Sequence, residues 1–480
     1  MPSSLQLQRQ NYRALGKSGQ RILLHVPTTS MFELDKAADS VLELLEEKGS
    51  VSEQDVRGRF DGIFSPGEVC DSLADFLALG IICDQRKDYE IAPREILNSP
   101  INTLVLTLTT GCNLGCSYCY REDLTTPRAA AVMEQTTAKR GIDLLLKQAI
   151  GHERVNVVFF GGEPMTRFST IKALVAYAEE EAGKVGKPVD FSLTTNASLL
   201  SDEMIAFFQA HRFGISVSMD GDEELHDRHR ITIGGKGTYQ QVSKNVRRLL
   251  EGCTARPVGA RVTLAGGNTD VARIYRHLHD ELGFAEVGFA PATASDDSPL
   301  GLDDGEMRTV LNAMKSLGRE YVTAAKRGFR HGFSNMNQMM QDLHSGTRKT
   351  LPCGAGVGLL AVSTEGQLAL CHRFTGTSFP SFGDVTAGIA QEQLSAFLTE
   401  AQRLHPACQG CSARSICAGG CYHEAYVRQG TALAPTFSHC DFIREWLDFG
   451  IECFGEIMHA NPGFFTPNNK AQEPHGDAQQ

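Results

Sequence analysis

The rhythm of apolar and polar positions changes three times along the chain. Up to residue 95 the periods are short. Arg21–Val26 alternates as a strand does, and the polar PTTSMF stretch turns it into a second short one. Ala37–Lys48 sets Val41, Leu42, Leu44 and Leu45 on one helical face. Ser52–Arg59 opens on the capping signal SEQD and predicts a second helix. Ser65-Pro-Gly-Glu starts a third over Val69–Leu79, which Gly80 stops. Ile81–Asp84 and Tyr89–Ile91 read as a closing β-wing. Together these elements predict a small winged-helix-like module over residues 1–95.

Between 96 and 335 strands and helices alternate. Leu104–Thr109, Asn156–Phe160, Asp190–Thr195, Gly214–Met219, Val258–Leu264 and Glu286–Ala290 are apolar, β-rich runs. Helical-length segments follow them, among them Glu134–Ala149, Thr170–Lys187, Asp202–His211, Tyr239–Glu251 and Asp270–Leu282. Six such units predict an α/β fold: a parallel sheet covered by helices, with the active site at the C-terminal ends of the strands. Six units instead of eight predict an open, partial (β/α)6 barrel. Residues 336–460 are cysteine-rich and less regular, and 461–480, rich in Pro, Asn and Gln, are expected to be a disordered tail.

A length of 480 residues fits several domains, and 41% hydrophobic with 21% charged residues is ordinary for a globular protein. No apolar run nears the roughly 20 residues that span a bilayer, and the polar N-terminus lacks a signal-peptide core. A cytoplasmic location without membrane attachment is therefore expected. The net charge of −11 argues against nucleic acid as a partner, because phosphate binding needs clustered Lys and Arg.

Fourteen cysteines change the picture most. In a reducing compartment, clustered cysteines bind metal or do redox chemistry. Cys112, Cys116 and Cys119 form C-x3-C-x2-C directly after the first strand. Three thiolates hold three corners of a [4Fe–4S] cube and leave one iron open to a small molecule. The competing reading is a zinc site, which would recruit a fourth Cys or His nearby, and none follows in this loop. Further on come Cys353-x12-Gly366-x4-Cys371, then Cys408-x2-Cys411-x5-Cys417-x3-Cys421, then Cys440. Cys70, Cys83, Cys253 and Cys453 are scattered.

The strand-loop setting of GCNLGCSYCY, with Tyr118 before the third Cys and FFGGEP at the end of strand two, resembles the radical S-adenosylmethionine (SAM) superfamily. The later array resembles the SPASM extension of its peptide maturases. Within these, the layout of residues 20–455 is similar to the maturases of quinohemoprotein amine dehydrogenase. This resemblance implies SAM on the open iron and a 5′-deoxyadenosyl radical that takes hydrogen from carbon. It implies SAM contacts at Tyr118, Gly161, Gly162, Glu163, Thr195, Asn196, Ser218, Asp220 and Arg261, with His226, Asp227 and Arg230 close by.

It also implies two auxiliary [4Fe–4S] clusters, three in all. Cys408, Cys411, Cys417 and Cys440 would hold the outer one. Cys353, Cys371 and Cys421 would hold the inner one, with Cys453, a substrate thiolate or another protein group as fourth ligand. The implied partners are a small polypeptide, captured by the N-terminal module as an added strand, and a flavodoxin- or ferredoxin-type electron donor. The implied reaction forms thioethers between Cys and the methylene carbons of Asp or Glu in the dehydrogenase's small γ-subunit. Glu122, Asp123, His372 and His423 are the candidate bases. Other SPASM chemistries are the alternatives within the class: sactipeptide thioethers, C–C crosslinks, or Cys/Ser oxidation. A non-catalytic electron carrier or peptide-binding scaffold is the alternative outside it.

Overall fold

The computed structural model describes residues 4–18, 21–83, 96, 100–120, 130–295, 298–436 and 439–466. Its centre is an eight-stranded sheet. Six parallel strands run in chain order from one side: β1 (Thr103–Thr107), β2 (Val155–Phe160), β3 (Val189–Thr195), β4 (Gly214–Ser218), β5 (Val258–Leu264) and β6 (Glu286–Pro291). These are the expected six strands, within a residue or two at each end. On the free side of β1, β7 (Leu359–Val362) pairs in parallel and β8 (Leu368–Ala369) pairs antiparallel to β7. The cysteine-rich region thus extends the barrel's own sheet.

Side chains alternate along the central strands. Val157, Phe159, Phe191, Leu193, Ile215, Val217, Ala260 and Val262 are buried under the outer helices. The other face carries Asn156, Ser192, Thr194, Ser216, Ser218, Gly259, Arg261 and Thr263, none of them fully buried. This second face lines the concave side of the partial barrel, a trough floored with small polar residues.

The N-terminal residues form three helices, Lys36–Lys48, Glu53–Phe60 and Pro66–Ala78, around a core of their own that includes Leu42, Leu45, Val56, Leu73 and Phe76. Asp35, Ser52 and Ser65 cap these helices, the last in a full capping box. Strands Ile22–His25 and Ser30–Glu33 are present. The hairpin gains a third strand, Tyr12–Leu15, that periodicity missed. Ile82–Cys83 pairs with Leu5–Leu7, and the expected wing partner Tyr89–Ile91 lies outside the described residues.

Two long helices, Asp304–Lys326 and Cys440–Ala460, were also not foreseen. They pack together, with Phe449 on Gly318, and are laced by Lys326–Glu456 and Lys315–Glu445 ion pairs. The same C-terminal helix receives the N-terminal hairpin through Arg13–Asp448 (2.5 Å) and Ile22 against Gly455. The expectation of disorder from 461 fails for its first residues. Phe464 and Phe465 pack on Tyr321 and Phe454, because two adjacent rings find apolar surface beside the helix end. Residues 467–480 lie outside the described residues. No described helix is long and apolar enough to cross a membrane.

Candidate active site

The chain leaves β1 through Thr109–Gly111 and enters the cysteine loop. Two backbone bonds clamp this exit to the end of β2: Gly162 N–H to Thr109 O (2.8 Å) and Glu163 N–H to Gly111 O (3.0 Å). The approach is possible only because residues 161 and 162 lack a Cβ. Gly161 sits at φ +149°, and a Cβ there would lie 2.5 Å from Thr109 O; at Gly162 it would overlap Gly111 O. The two glycines therefore seat the cysteine loop.

The loop is strapped down further along. Gly115 N–H bonds Ile231 O (2.8 Å) and Ser117 N–H bonds His229 O (3.1 Å). The Tyr118 hydroxyl donates to Asp220, which also accepts from Arg230 Nε (2.8 Å) and Thr263 N–H (2.9 Å). The Arg230 guanidinium lies 5.4 Å from the Tyr118 ring centre. Asp220 is fully buried and Arg230 nearly so. Tyr118 and Asp220, expected to touch SAM, thus have their polar atoms engaged in anchoring the loop. A buried carboxylate needs its partners inside the protein. Burial raises the Cys116 thiol, and Arg230 opposes that rise. Arg230 is the residue whose weight the sequence understated.

Glu163 is likewise internal. It accepts from Thr195 Oγ1 (2.7 Å), Met165 N–H (3.0 Å) and Asn196 N–H (2.8 Å), so it ties the end of β2 to the end of β3. Burial raises its carboxyl, and these three donors resist the rise. Asn196 Nδ2 lies 3.8 Å from Cys112 Sγ and donates to Asn113 Oδ1 at 3.1 Å. Ser218 and Arg261 face the trough, in register with each other on β4 and β5. The Arg261 guanidinium has no ion-pair or hydrogen-bond partner among the described residues.

Three groups of thiols emerge from mutual electrostatic influence. Cys112, Cys116 and Cys119 are the first, with burial pushing Cys112 up to about 11. Cys353, Cys371 and Cys421 are the second, with Cys371 also raised to about 11 by burial. Cys408, Cys411, Cys417 and Cys440 are the third. Each comprises neighbours, although among the described residues no three His, Cys, Asp or Glu side chains are drawn tight enough for a single metal ion. Cys453 joins none of them. It is buried in the long C-terminal helix, where its charged neighbours are Arg319, Glu456 and Glu452, which corrects its candidacy as the inner group's fourth ligand.

Between the first and second groups lies a small set of polar and aromatic side chains. Arg373 sits 5.1 Å from the Tyr120 ring centre, His423 meets Tyr120 edge-on at 5.7 Å, and His372 lies on Phe160 at 4.2 Å. His423 is buried, its Nδ1 has no partner among the described residues, and burial lowers it to about 4. The buried Tyr422 hydroxyl, beside Cys353 and Cys421, also lacks a partner among the described residues. Both histidine candidates thus reach the space between the loops. Glu122 and Asp123 lie outside the described residues.

The three thiols at a strand end, the glycine-seated loop and the polar trough beside them fit an iron–sulfur cluster and a zwitterionic cofactor. The family model of the radical SAM superfamily matches residues 106–275, the span that contains all of these. The chain carries a radical SAM domain. This enzyme is 25% identical over 341 residues to a serine-type anaerobic sulfatase-maturating enzyme of Klebsiella pneumoniae, covering 67% of this chain and 82% of that one. Its fold matches anSMEcpe solved with bound AdoMet (TM-score 0.65, 18% identity, 76% of this chain and 96% of that one). It also matches Streptococcus suis SuiB bound to precursor peptide SuiA, at a TM-score of 0.50 and 15% identity over 91% of this chain and 99% of that one.

Proposed function

We propose that this enzyme matures a small polypeptide by forming thioethers between its Cys sulfurs and the methylene carbons of Asp or Glu, as in quinohemoprotein amine dehydrogenase. The observation that carries the reading is the separation of ten cysteines into one barrel group and two further groups. In this reading Cys112, Cys116 and Cys119 hold the SAM cluster. Cys353, Cys371 and Cys421 hold an inner auxiliary cluster, and Cys408, Cys411, Cys417 and Cys440 an outer one. What the SAM cluster and SAM supply when bound is hydrogen abstraction from an unactivated carbon.

The chain's own tasks follow. Ser218 and Arg261 orient the cofactor or substrate in the trough. Asn196, beside Cys112, orders the loop. A base among His372, His423, Glu122 and Asp123 accepts the thiol proton, and the one electron left when the C–S bond forms would go to an auxiliary cluster held by the chain's cysteines. The module of residues 1–95 captures the polypeptide ahead of the barrel of residues 96–335 and the cluster region of 336–460. A reducing donor of flavodoxin or ferredoxin type and a cytoplasmic setting complete the proposal.

A second reading has support of its own: the 341-residue similarity to a sulfatase-maturating enzyme favours oxidation of a Ser or Cys in a protein substrate. Coexpression with a cysteine-rich polypeptide, followed by mass spectrometry, separates the two. The thioether reading expects a loss of two hydrogens per crosslink, with sulfur and an acidic residue joined in the fragments. Unchanged mass, or loss of hydrogen confined to one Ser or Cys, rejects it.

A further inference from the structure

Arg373 and Arg261 come from opposite sides of the sheet. Arg373 follows β8, the last strand on one edge, yet its Nη1 donates to Thr293 Oγ1 (2.6 Å) just beyond β6, the last strand on the other. The side chain therefore bridges the open mouth of the partial barrel, above Tyr120 and next to the cysteine loop. Arg261 points into the trough one strand away, close enough to Gly288 that a Cβ there would lie 2.7 Å from its Nη1. Burial, and after it the Arg373 charge, pull Arg261 below its ordinary value.

Among the described residues the acidic groups around them are already engaged. Glu424 is held by Arg428 (2.7 Å) and by the Thr293 hydroxyl (2.6 Å). Asp220 is held by Arg230 and Tyr118, and Glu163 by the end of β3. His372 and His423 add no negative charge. Two facing cations without a counter-ion among the described residues repel each other, and a bound anion relieves that cost. A planar guanidinium fork matches a carboxylate in particular.

We infer that Arg261 and Arg373 form a two-armed pocket for the side-chain carboxylate of an acidic residue in the peptide substrate. The inference rests on the thioether reading and deepens it by naming how the carbon-donor residue is chosen. Arg373 lies outside the span shared with the superfamily, so the pocket would be particular to enzymes with this extension. Holding the carboxylate fixes the adjacent methylene at the mouth, between the barrel thiols and the inner thiol group.

The test is competitive binding to SAM-loaded holoenzyme of paired short peptides, with Asp or Glu against Asn or Gln at the acceptor position. Wild type is expected to favour the acidic peptide on the order of 10-fold. R373Q and R261Q are each expected to remove that preference, and R373K to restore part of it. Equal binding of both peptides by wild type overturns the inference, as does a preference that survives in R373Q. It also falls if R261Q weakens SAM and leaves the peptide preference intact, because the carboxylate held would then be the cofactor's. Loss of the preference in E122Q or D123N instead would show that the loop beyond Tyr120 supplies the anion. Product mass is read separately, so acid-selective binding without crosslinking would reject the thioether reading and leave the pocket standing.

Discussion

The two sides of the barrel mouth are built differently. On the barrel side the carboxylates and glycines that seat the cysteine loop have internal partners: Asp220 with Arg230 and Tyr118, Glu163 with Thr195 and Asn196, and Gly161–Gly162 against Thr109–Gly111. On the extension side Tyr422 and His423 carry buried polar atoms without partners among the described residues, and Cys353 and Cys421 are exposed. One wall is fixed by hydrogen bonds the chain makes with itself. The other leaves groups open toward the site. Regular structure stabilises the first, whereas the second is expected to depend on what its thiols bind.

The largest way to break this contrast is to unpair the barrel's buried ion pair. R230M leaves Asp220 charged and uncompensated at no exposure. It should cost about 3–5 kcal/mol, read as a lower denaturation midpoint of the anaerobically purified protein. A change below about 1 kcal/mol would mean that the loop is not anchored there.

Acid sharpens the contrast next. Burial lowers His226 to about 3 and His331 to about 4, so both are neutral in the folded barrel at neutral pH. Their folded values lie below the unfolded one, so the unfolded chain binds more protons once pH falls below about 6.5. The stability they lend is complete above that pH. It drains away towards pH 4 and below, at roughly 1.4 kcal/mol per group per unit. Melting curves from pH 7 to 4.5 should show this slope, and H331N should flatten it; an unchanged slope in H331N would discount His331.

The smallest effect concerns the extension. C453A removes a thiol that joins no cysteine group, so it should cost only about 1 kcal/mol and leave the iron content as in wild type. C371A should lower the iron content. Equal iron loss in both variants would return Cys453 to the inner site.

Much of this was legible because β/α alternation and cysteine spacing are local patterns. The six barrel strands and the three N-terminal helices follow such patterns, whereas the grouping of Cys353, Cys371 and Cys421 across almost 70 residues came from the resemblance to the SPASM extension. The engagement of Asp220 and Glu163 was not, because a carboxylate at a strand end has the same sequence signature whether it faces a ligand or holds a neighbouring loop. The long helix Cys440–Ala460 was hidden because the cysteine motif drew attention to its first residue and away from the apolar stripe of Trp446, Leu447, Ile451, Phe454 and Ile457. Arg373 carries no motif at all. Only the curl of the sheet, whose strand order sets β8 and β6 at opposite edges yet whose closure brings the segment after β8 to the loop after β6, gives it a role.

That order has a consequence for anyone who would trim the protein. β7 supplies the only neighbour of β1 on its outer side among the described strands, pairing Leu360 with Leu104 and Val362 with Leu106. A version cut near residue 350 would leave the central strand with bare amide and carbonyl groups beside an apolar row, an invitation to stick to the next molecule. The barrel and its cysteine-rich annex should be expressed and purified as one piece.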